Sequence, residues 1–273
     1  MNRRRFLKSA VKGTAGALVG GAIYSCVEAT WLRVVHDRIT MPALPPSFRG
    51  FRIAFLTDLH HGPWTGLAYV RCAARMANEL EADVVLLGGD YCHNAPEFIE
   101  PCIEALGDLR AAMGVYAVMG NHDHYQSSAL TRGAFEKNKI RELKNDGVWL
   151  ERNGERLRVA GVDDFWMGGP QLQPALDGMR ADERCVLVSH NPDFVDQISD
   201  PRVGLMLSGH THGGQIVFPL IGAPIVPSCH GSKYIQGLMR TPNNLLFISR
   251  GLGTVTPPLR FGCRPEINLI ELV

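Results

Sequence analysis

Phe51-Arg52-Ile53-Ala54-Phe55-Leu56-Thr57-Asp58-Leu59-His60 is the stretch on which the fold turns. An apolar run ends in a carboxylate and an imidazole two positions apart. The run is too uniformly apolar for a strand with one wet face, and it fits an interior strand covered on both sides. The same layout recurs along the chain. Asp83 to Leu87 leads into Gly88-Gly89-Asp90, and Val115 to Met119 leads into Gly120-Asn121-His122-Asp123. Cys185 to Val188 leads into Ser189-His190-Asn191, and Gly204 to Leu207 leads into Ser208-Gly209-His210-Thr211-His212. In open α/β sheets, ligands bind just beyond the carboxyl ends of the strands. The five tails are therefore expected on one rim.

The residue types on that rim suit two divalent metal ions. Asp58 and His60 can both turn toward one ion where the strand relaxes into a loop, and the two oxygens of Asp90 can bridge a pair. Asn121 offers a neutral carbonyl oxygen, while His190, His210 and His212 offer ring nitrogens. A nitrogen and oxygen set without thiolate suits Mn, with Fe or Zn as further options, better than Mg or Ca. His122 has no evident ligand role and is the candidate general acid. Asp123 beside it is expected to orient its ring or balance its charge. Each block alone is compatible with ordinary turn chemistry at a strand end. Their joint order is what points to a dinuclear centre.

The series DLH, GGD, GNHD, H and GHTH resembles the calcineurin-like metallophosphoesterases over residues 48 to 273. The resemblance implies two packed mixed β-sheets flanked by helices, a four-layer α/β sandwich. It assigns Asp58, His60, Asp90 and His212 to the first ion. Asp90, Asn121, His190 and His210 go to the second, with Asp90 bridging and His122 as the leaving-group acid. The implied activity is hydrolysis of a phosphate mono- or diester or a pyrophosphate, by in-line attack of a hydroxide held between the ions. Ser249 to Gly253 and Arg264 to Ile267 narrow the resemblance to the exported bacterial branch. The broad group also includes hydrolases of UDP-2,3-diacylglucosamine. A rival reading from another class is a non-catalytic, metal-stabilised scaffold on the same fold, although no ligand is missing.

Other polar residues have competing readings. His61 either reaches substrate or is an exposed loop residue, and His93, His124 and His230 are expected at the surface or behind the ligands. Asp163 and Asp164 either support the site or form a plain turn. Ile216 to Val226 (IVFPLIGAPIV) is unusually apolar for a segment beside a polar centre. It is either a strand and turn packed in the core or a lip meeting acyl chains or a membrane surface. The lip would favour a lipid-linked or envelope-linked phosphoester.

Residues 1 to 30 read as a leader. Asn2-Arg3-Arg4-Arg5-Phe6-Leu7-Lys8 fits the twin-arginine export pattern, and Ala10 to Tyr24 fits a glycine-diluted apolar core, short for a membrane span. The expectation is an exported, periplasmic or extracytoplasmic protein handled by the twin-arginine machinery, with the segment cleaved or kept as a membrane tether. Of 28 basic and 27 acidic residues, the first 29 positions hold five and one, leaving a body of 23 and 26. That mildly acidic body offers no broad field for a nucleic-acid backbone. The seven cysteines show no C-x-x-C; the six beyond the leader could form disulfides in an exported body, although Cys185 reads better as a buried apolar filler and no particular bridge is indicated.

The remainder reads as a lead-in strand and proline-rich link (31–47) and one α/β domain (48–273). Helices are expected over Thr65–Leu80, Phe98–Met113 and Ala129–Leu143.

Overall fold

The computed structural model describes residues 3–273, with the side chains of 3–11, 13, 15, 17 and 18 left out. Helix α1 spans Arg3–Glu28, so the side chains of the twin-arginine signature, together with Asn2, lie outside the described residues. No helix among the described residues is long and apolar enough to cross a membrane.

Two six-stranded mixed sheets lie face to face. The first contains β1 (Arg33–Ile39), β2 (Phe51–Leu56), β3 (Val84–Leu87), β4 (Val115–Ala117), β5 (Arg141–Glu142) and β12 (Glu266–Leu272), in the order β1-β12-β2-β3-β4-β5. Its run from β2 to β5 is parallel, and β12 enters antiparallel to β2. The second contains β6 (Asp146–Arg152), β7 (Glu155–Gly161), β8 (Cys185–Val188), β9 (Val203–Ser208), β10 (Gly237–Arg240) and β11 (Leu245–Ile248), in the order β10-β11-β9-β8-β7-β6. Its centre, β7-β8-β9-β11, is parallel, with an antiparallel strand at each edge.

The apolar runs explain this layering. Every residue of β3, β8 and β9 is buried, as both-face burial requires. Phe51, Ile53, Phe55 and Leu86 of the first sheet meet Leu157, Val159, Val186 and Leu205 of the second in the central core. The outer face of the first sheet is covered by α2 (Leu67–Asn78), α3 (Ile99–Leu106) and α4 (Asn121–Lys137). Val70, Ala73, Ala74 and Ala77 give α2 its buried stripe at three- and four-residue spacing. The second sheet is covered more thinly, by α5 (Leu172–Ala175) and a 3-10 turn at Pro192–Gln197.

Helix boundaries depart from expectation in informative ways. Helix α3 stops at Leu106, ahead of Gly107 and well short of Met113. Helix α4 begins eight residues before the expected start at Ala129, at Asn121, and is broken at the extended Ser127. Its first turn is therefore the Asn121-His122-Asp123 block itself. The segment after the last histidine block is not core: Phe218, Leu220, Ile221 and Ile225 are exposed, so the core-packed reading of Ile216–Val226 is overturned. All seven cysteines are free, and Cys185 is buried in β8.

Candidate metal centre

The carboxyl ends of β2, β3, β8 and β9, with the start of α4 after β4, converge on one buried cluster. Three groups of three donors form within it among the described residues, one of them His60, His93 and His122. Asp58, His60 and His212 lie together, as do Asp90, His190 and His210, and in each group the donor atoms are within 4.8 Å of one another. His60 Nε2 is 3.0 Å from His212 Nε2, and His212 Nε2 is 3.5 Å from Asp58 Oδ1. In the other group His190 Nε2 is 3.2 Å from both Asp90 Oδ2 and His210 Nδ1. Asp90 Oδ2 is also 3.5 Å from His60 Nε2, so one carboxylate oxygen faces both groups. Asn121 is buried, and its Oδ1 has no hydrogen-bond partner in the protein. An orphaned buried carbonyl costs free energy unless something satisfies it. Here that something fits a cation.

Backbone geometry tightens the cluster. Asp58, His60, Asp90, His210 and His212 have φ of 54°, 48°, 58°, 70° and 52°, in the left-handed region that non-glycine residues avoid. Each such residue costs on the order of 1–3 kcal/mol, and strain of this kind gathers at sites the surrounding structure over-determines. Gly120 serves by what it lacks, because a Cβ there would fall on the Asp90 carboxylate and the His190 ring.

Hydrogen bonds set the donor atoms. His190 Nδ1 is 2.8 Å from the Gly88 carbonyl, so it donates there and leaves Nε2 free to face Asp90. The His210 amide donates to both oxygens of Asp58, at 2.9 and 3.0 Å. Thr57 Oγ1 adds a second donor, and a third hydrogen bond, to that carboxylate at 2.8 Å.

Protonation follows burial and pairing. Burial, reinforced for His60 by His122 and for His212 by His60 and Arg260, drives both imidazoles well below their usual range. His210 is pushed down to about 3 by burial and then by His190. These rings are neutral, as metal ligands must be. Burial pushes Asp58 up to about 6. For the Asp90–His190 pair burial opposes the charged forms, but each partner outweighs it, holding Asp90 well below the carboxylate range and His190 well above the imidazole range. The shared proton stands where a cation fits the same two atoms.

His122 and Asp123 point differently from one another. His122 is half-buried at the mouth, its ring centroid 4.7 Å from that of His60 and its amide donating to Asp90 Oδ1 at 2.8 Å. Asp123 was expected to serve the His122 ring, and its carboxylate faces elsewhere. Its oxygens accept the backbone N–H groups of Asp90, Tyr91 and Gly120 at 2.8–2.9 Å. It ties the β3 loop to the start of α4, which makes it a positioning residue. Burial, then the charge of Asp90, pushes its carboxyl up to about 7 against those three donors.

The remaining polar residues sort by contact. His61 is buried, bonded through Nδ1 to the Thr65 carbonyl at 2.8 Å, so the exposed-loop reading does not hold. His93 is buried at the centre, its Nδ1 3.4 Å from His122 Nδ1. His124 pairs with Asp163 at 2.9 Å, and His230 with Asp196 at 2.9 Å on the surface. Asp164 accepts the amides of Trp166 and Met167, which presents the Trp166 ring 4.3 Å from the His210 ring. Trp166 and Arg260 escaped the sequence reading. Arg260 is wholly buried, spends its guanidinium on the carbonyls of Arg250, Gly251, Gly253 and Cys263, and lies 3.4 Å from His212 Nδ1. A lone arginine between Leu259 and Phe261 carries no sequence signal of such a role.

Fold and site together define a metallophosphoesterase. The calcineurin-like phosphoesterase family model matches residues 51–214, and the chain belongs to that family. It is a phosphoric ester hydrolase whose ligand clusters fit a dinuclear divalent metal site. It is 31% identical to the uncharacterized metallophosphoesterase YkuE of Bacillus subtilis, over 100% of this chain and 98% of that one. It is 29% identical to the phosphodiesterase YaeI of Escherichia coli, over the whole of both chains. The NAD nucleotidase NadN of Haemophilus influenzae shares the fold, with a TM-score of 0.50 and 13% identity over 74% of this chain and 45% of that one.

Proposed function

We propose that the chain is a manganese-dependent phosphodiesterase acting by in-line displacement outside the cytoplasm. The observation that carries this is Asp90 Oδ2, placed within 3.5 Å of a nitrogen from each of the two ligand groups. Two divalent ions held there, one by Asp58, His60, Asp90 and His212 and the other by Asp90, Asn121, His190 and His210, supply Lewis acidity toward phosphoryl oxygens and a water-derived nucleophile at neutral pH. The chain's own groups do the rest. Asp123 and the glycine turns fix the donors before substrate arrives. His122, half-buried beside His60, is the group assigned to protonate the departing alkoxide.

Manganese is favoured by the mixed nitrogen and oxygen donors without thiolate. The diester preference is supported by similarity to a relative that is named a phosphodiesterase. Export is supported by Arg3-Arg4-Arg5-Phe6-Leu7-Lys8 at the start of the chain. The scaffold reading loses ground because all seven ligand candidates and His122 are present. The full chain, loaded with Mn, is expected to hydrolyse bis-p-nitrophenyl phosphate faster than p-nitrophenyl phosphate. Bound metal with no turnover of either ester would return the scaffold reading.

A further inference from the structure

Beside the metal centre lies a second concavity of about 180 Å³, a slot walled by Ile216, Pro224, Ile225, Pro227, Val255 and Pro257. Three residues, His212, Pro227 and Val255, line both the slot and the cleft that holds Asp90, Asn121 and His122. The two are therefore neighbours across one wall.

The slot offers its occupant almost nothing polar. Gln215 lines it, but its amide is spent on the chain: Nε2 donates to the carbonyls of Val255 and Pro257, and Oε1 accepts the Val255 amide. Thr211, also on the wall, gives its hydroxyl to the Ile235 carbonyl at 2.7 Å. With Gln215 and Thr211 satisfied, only His212 and the Thr256 hydroxyl add side-chain polarity to a surface that otherwise favours hydrocarbon. The volume is below the roughly 300 Å³ at which whole-ligand pockets begin. It takes one chain segment, with the polar part of the ligand outside.

The chain segment that supplies Ile216, Pro224 and Ile225 to the slot displays further apolar side chains. Phe218 and Gly222 exchange both backbone hydrogen bonds, closing a turn that carries Leu220 and Ile221 at its tip. Leu220 is fully exposed and Ile221 and Ile225 are 80% and 77% exposed. Leu220 is held outward at φ 68°. The rim continues onto the leader helix, because Phe218 packs on Phe261 at 5.7 Å and Phe261 on Tyr24 at 5.8 Å. Ile23 and Val27 of α1 are exposed there as well.

We propose that the slot is the binding site for the alkyl or acyl chain of an amphipathic phosphoester, whose phosphate lies at the metal ions and whose chain leaves over the Leu220–Ile225 rim. The inference rests on the dinuclear phosphodiesterase reading and names its substrate class. Because His212, Pro227 and Val255 line both the slot and the metal cleft, the occupant this placement favours is a hydrocarbon joined to the phosphate.

A series of p-nitrophenyl alkyl phosphates from methyl to octyl, kept below micelle formation, tests this on the full Mn-loaded chain. At the transfer free energy of a buried methylene, kcat/KM rises about fourfold per carbon for the first few carbons and then levels. Ile225→Asp and Val255→Ser each flatten that slope. Calorimetric titration with methyl- to octylphosphonate gives a readout without turnover, and affinity rises along the same series. If the methyl ester is hydrolysed but neither slope appears, the slot inference is overturned while the catalytic reading stands. If no ester is hydrolysed but phosphonate affinity rises with chain length, the catalytic reading fails and the slot stands. A slope that survives in both variants places the chain elsewhere and overturns the site. So does a flat series with a concentration-dependent dimer, by sedimentation, that Leu220→Ser abolishes, which would make the rim a contact between copies.

Discussion

The two sheets reach the metal centre with different chemistry and different support. Loops after β2, β3 and β4 bring Asp58, His60, Asp90 and Asn121, three of which offer oxygen. Loops after β8 and β9 bring His190, His210 and His212, nitrogen only. The first set is braced from within its own sheet, by the three amides that Asp123 gathers from the β3 loop and the start of α4. The second set leans on the first, through the His210 amide on Asp58 and His190 Nδ1 on the Gly88 carbonyl. One rim is a frame, and the other hangs from it. Charge follows the same division, since the carboxylates that neutralise cations sit on the braced side.

The largest break in that comparison is at Asp90, which alone faces both ligand groups. Asp90→Ala is expected to take bound metal from about two ions per chain toward none, with turnover falling to background. Metal analysis and rate on the same samples check this. Next comes His122→Gln, which touches neither support. Metal stays bound, while turnover of esters with poor leaving groups drops about 10²–10⁴-fold and p-nitrophenyl esters lose far less, since that leaving group needs no proton. Unchanged turnover of the poor leaving groups would remove His122 from the acid role.

Frame and hanging rim are separated by a third pair. Asp123→Ala frees amides on the braced side and is expected to weaken both ions about 10- to 100-fold. Arg260→Met releases the carbonyls that seat the loop behind His212 and Asp58, both ligands of the same ion, and is expected to weaken that one ion by a similar factor. Metal titration followed by two resolved affinities tells them apart. Equal effects on both ions from both variants would dissolve the distinction.

The smallest effect concerns stability. His124 is raised by its hydrogen bond to Asp163, against burial, and Asp163 is held below the carboxylate range by His124 and the Gly169 amide, also against burial. A raised histidine contributes fully below its unfolded value near 6.5 and fades as pH rises through its folded value. A lowered aspartate contributes above its unfolded value near 3.9 and fades as pH falls. The pair therefore stabilises most between about pH 4 and 6.5. His124→Ala should cost about 1–2 kcal/mol there and less above pH 8, read from melting temperatures across pH. A cost independent of pH would mean packing alone.

Much of this was legible before any coordinates, for physical reasons that differ by residue. The strands before each block were visible because both-face burial leaves uninterrupted apolar runs, as in Val84–Leu87 and Cys185–Val188. The ligand types were visible because glycine beside Asp, Asn or His marks a tight approach, and Gly120 shows why, with its Cβ position filled by Asp90 and His190. Asp123 was misread because adjacency to His122 suggested contact, whereas the helix start turns its carboxylate back toward the β3 loop. Arg260 and Trp166 are placed by long-range packing that leaves no local pattern. The Ile216–Val226 segment was ambiguous because an apolar stretch reads the same whether it is buried or displayed.

The end of helix α1 is the feature with the most practical weight. Glu28 is buried, and its two oxygens accept the amides of Gly262 and Cys263 at 3.0 and 2.7 Å, while the Ser25 carbonyl accepts the Arg260 amide. The final turn of α1 thus belongs to the catalytic body. A recombinant chain begun at residue 30 would strip three acceptors from the loop that seats Arg260 behind a metal ligand. Inactivity of such a trimmed protein would report a damaged foundation, and a fair assay of this enzyme has to start upstream of Ser25.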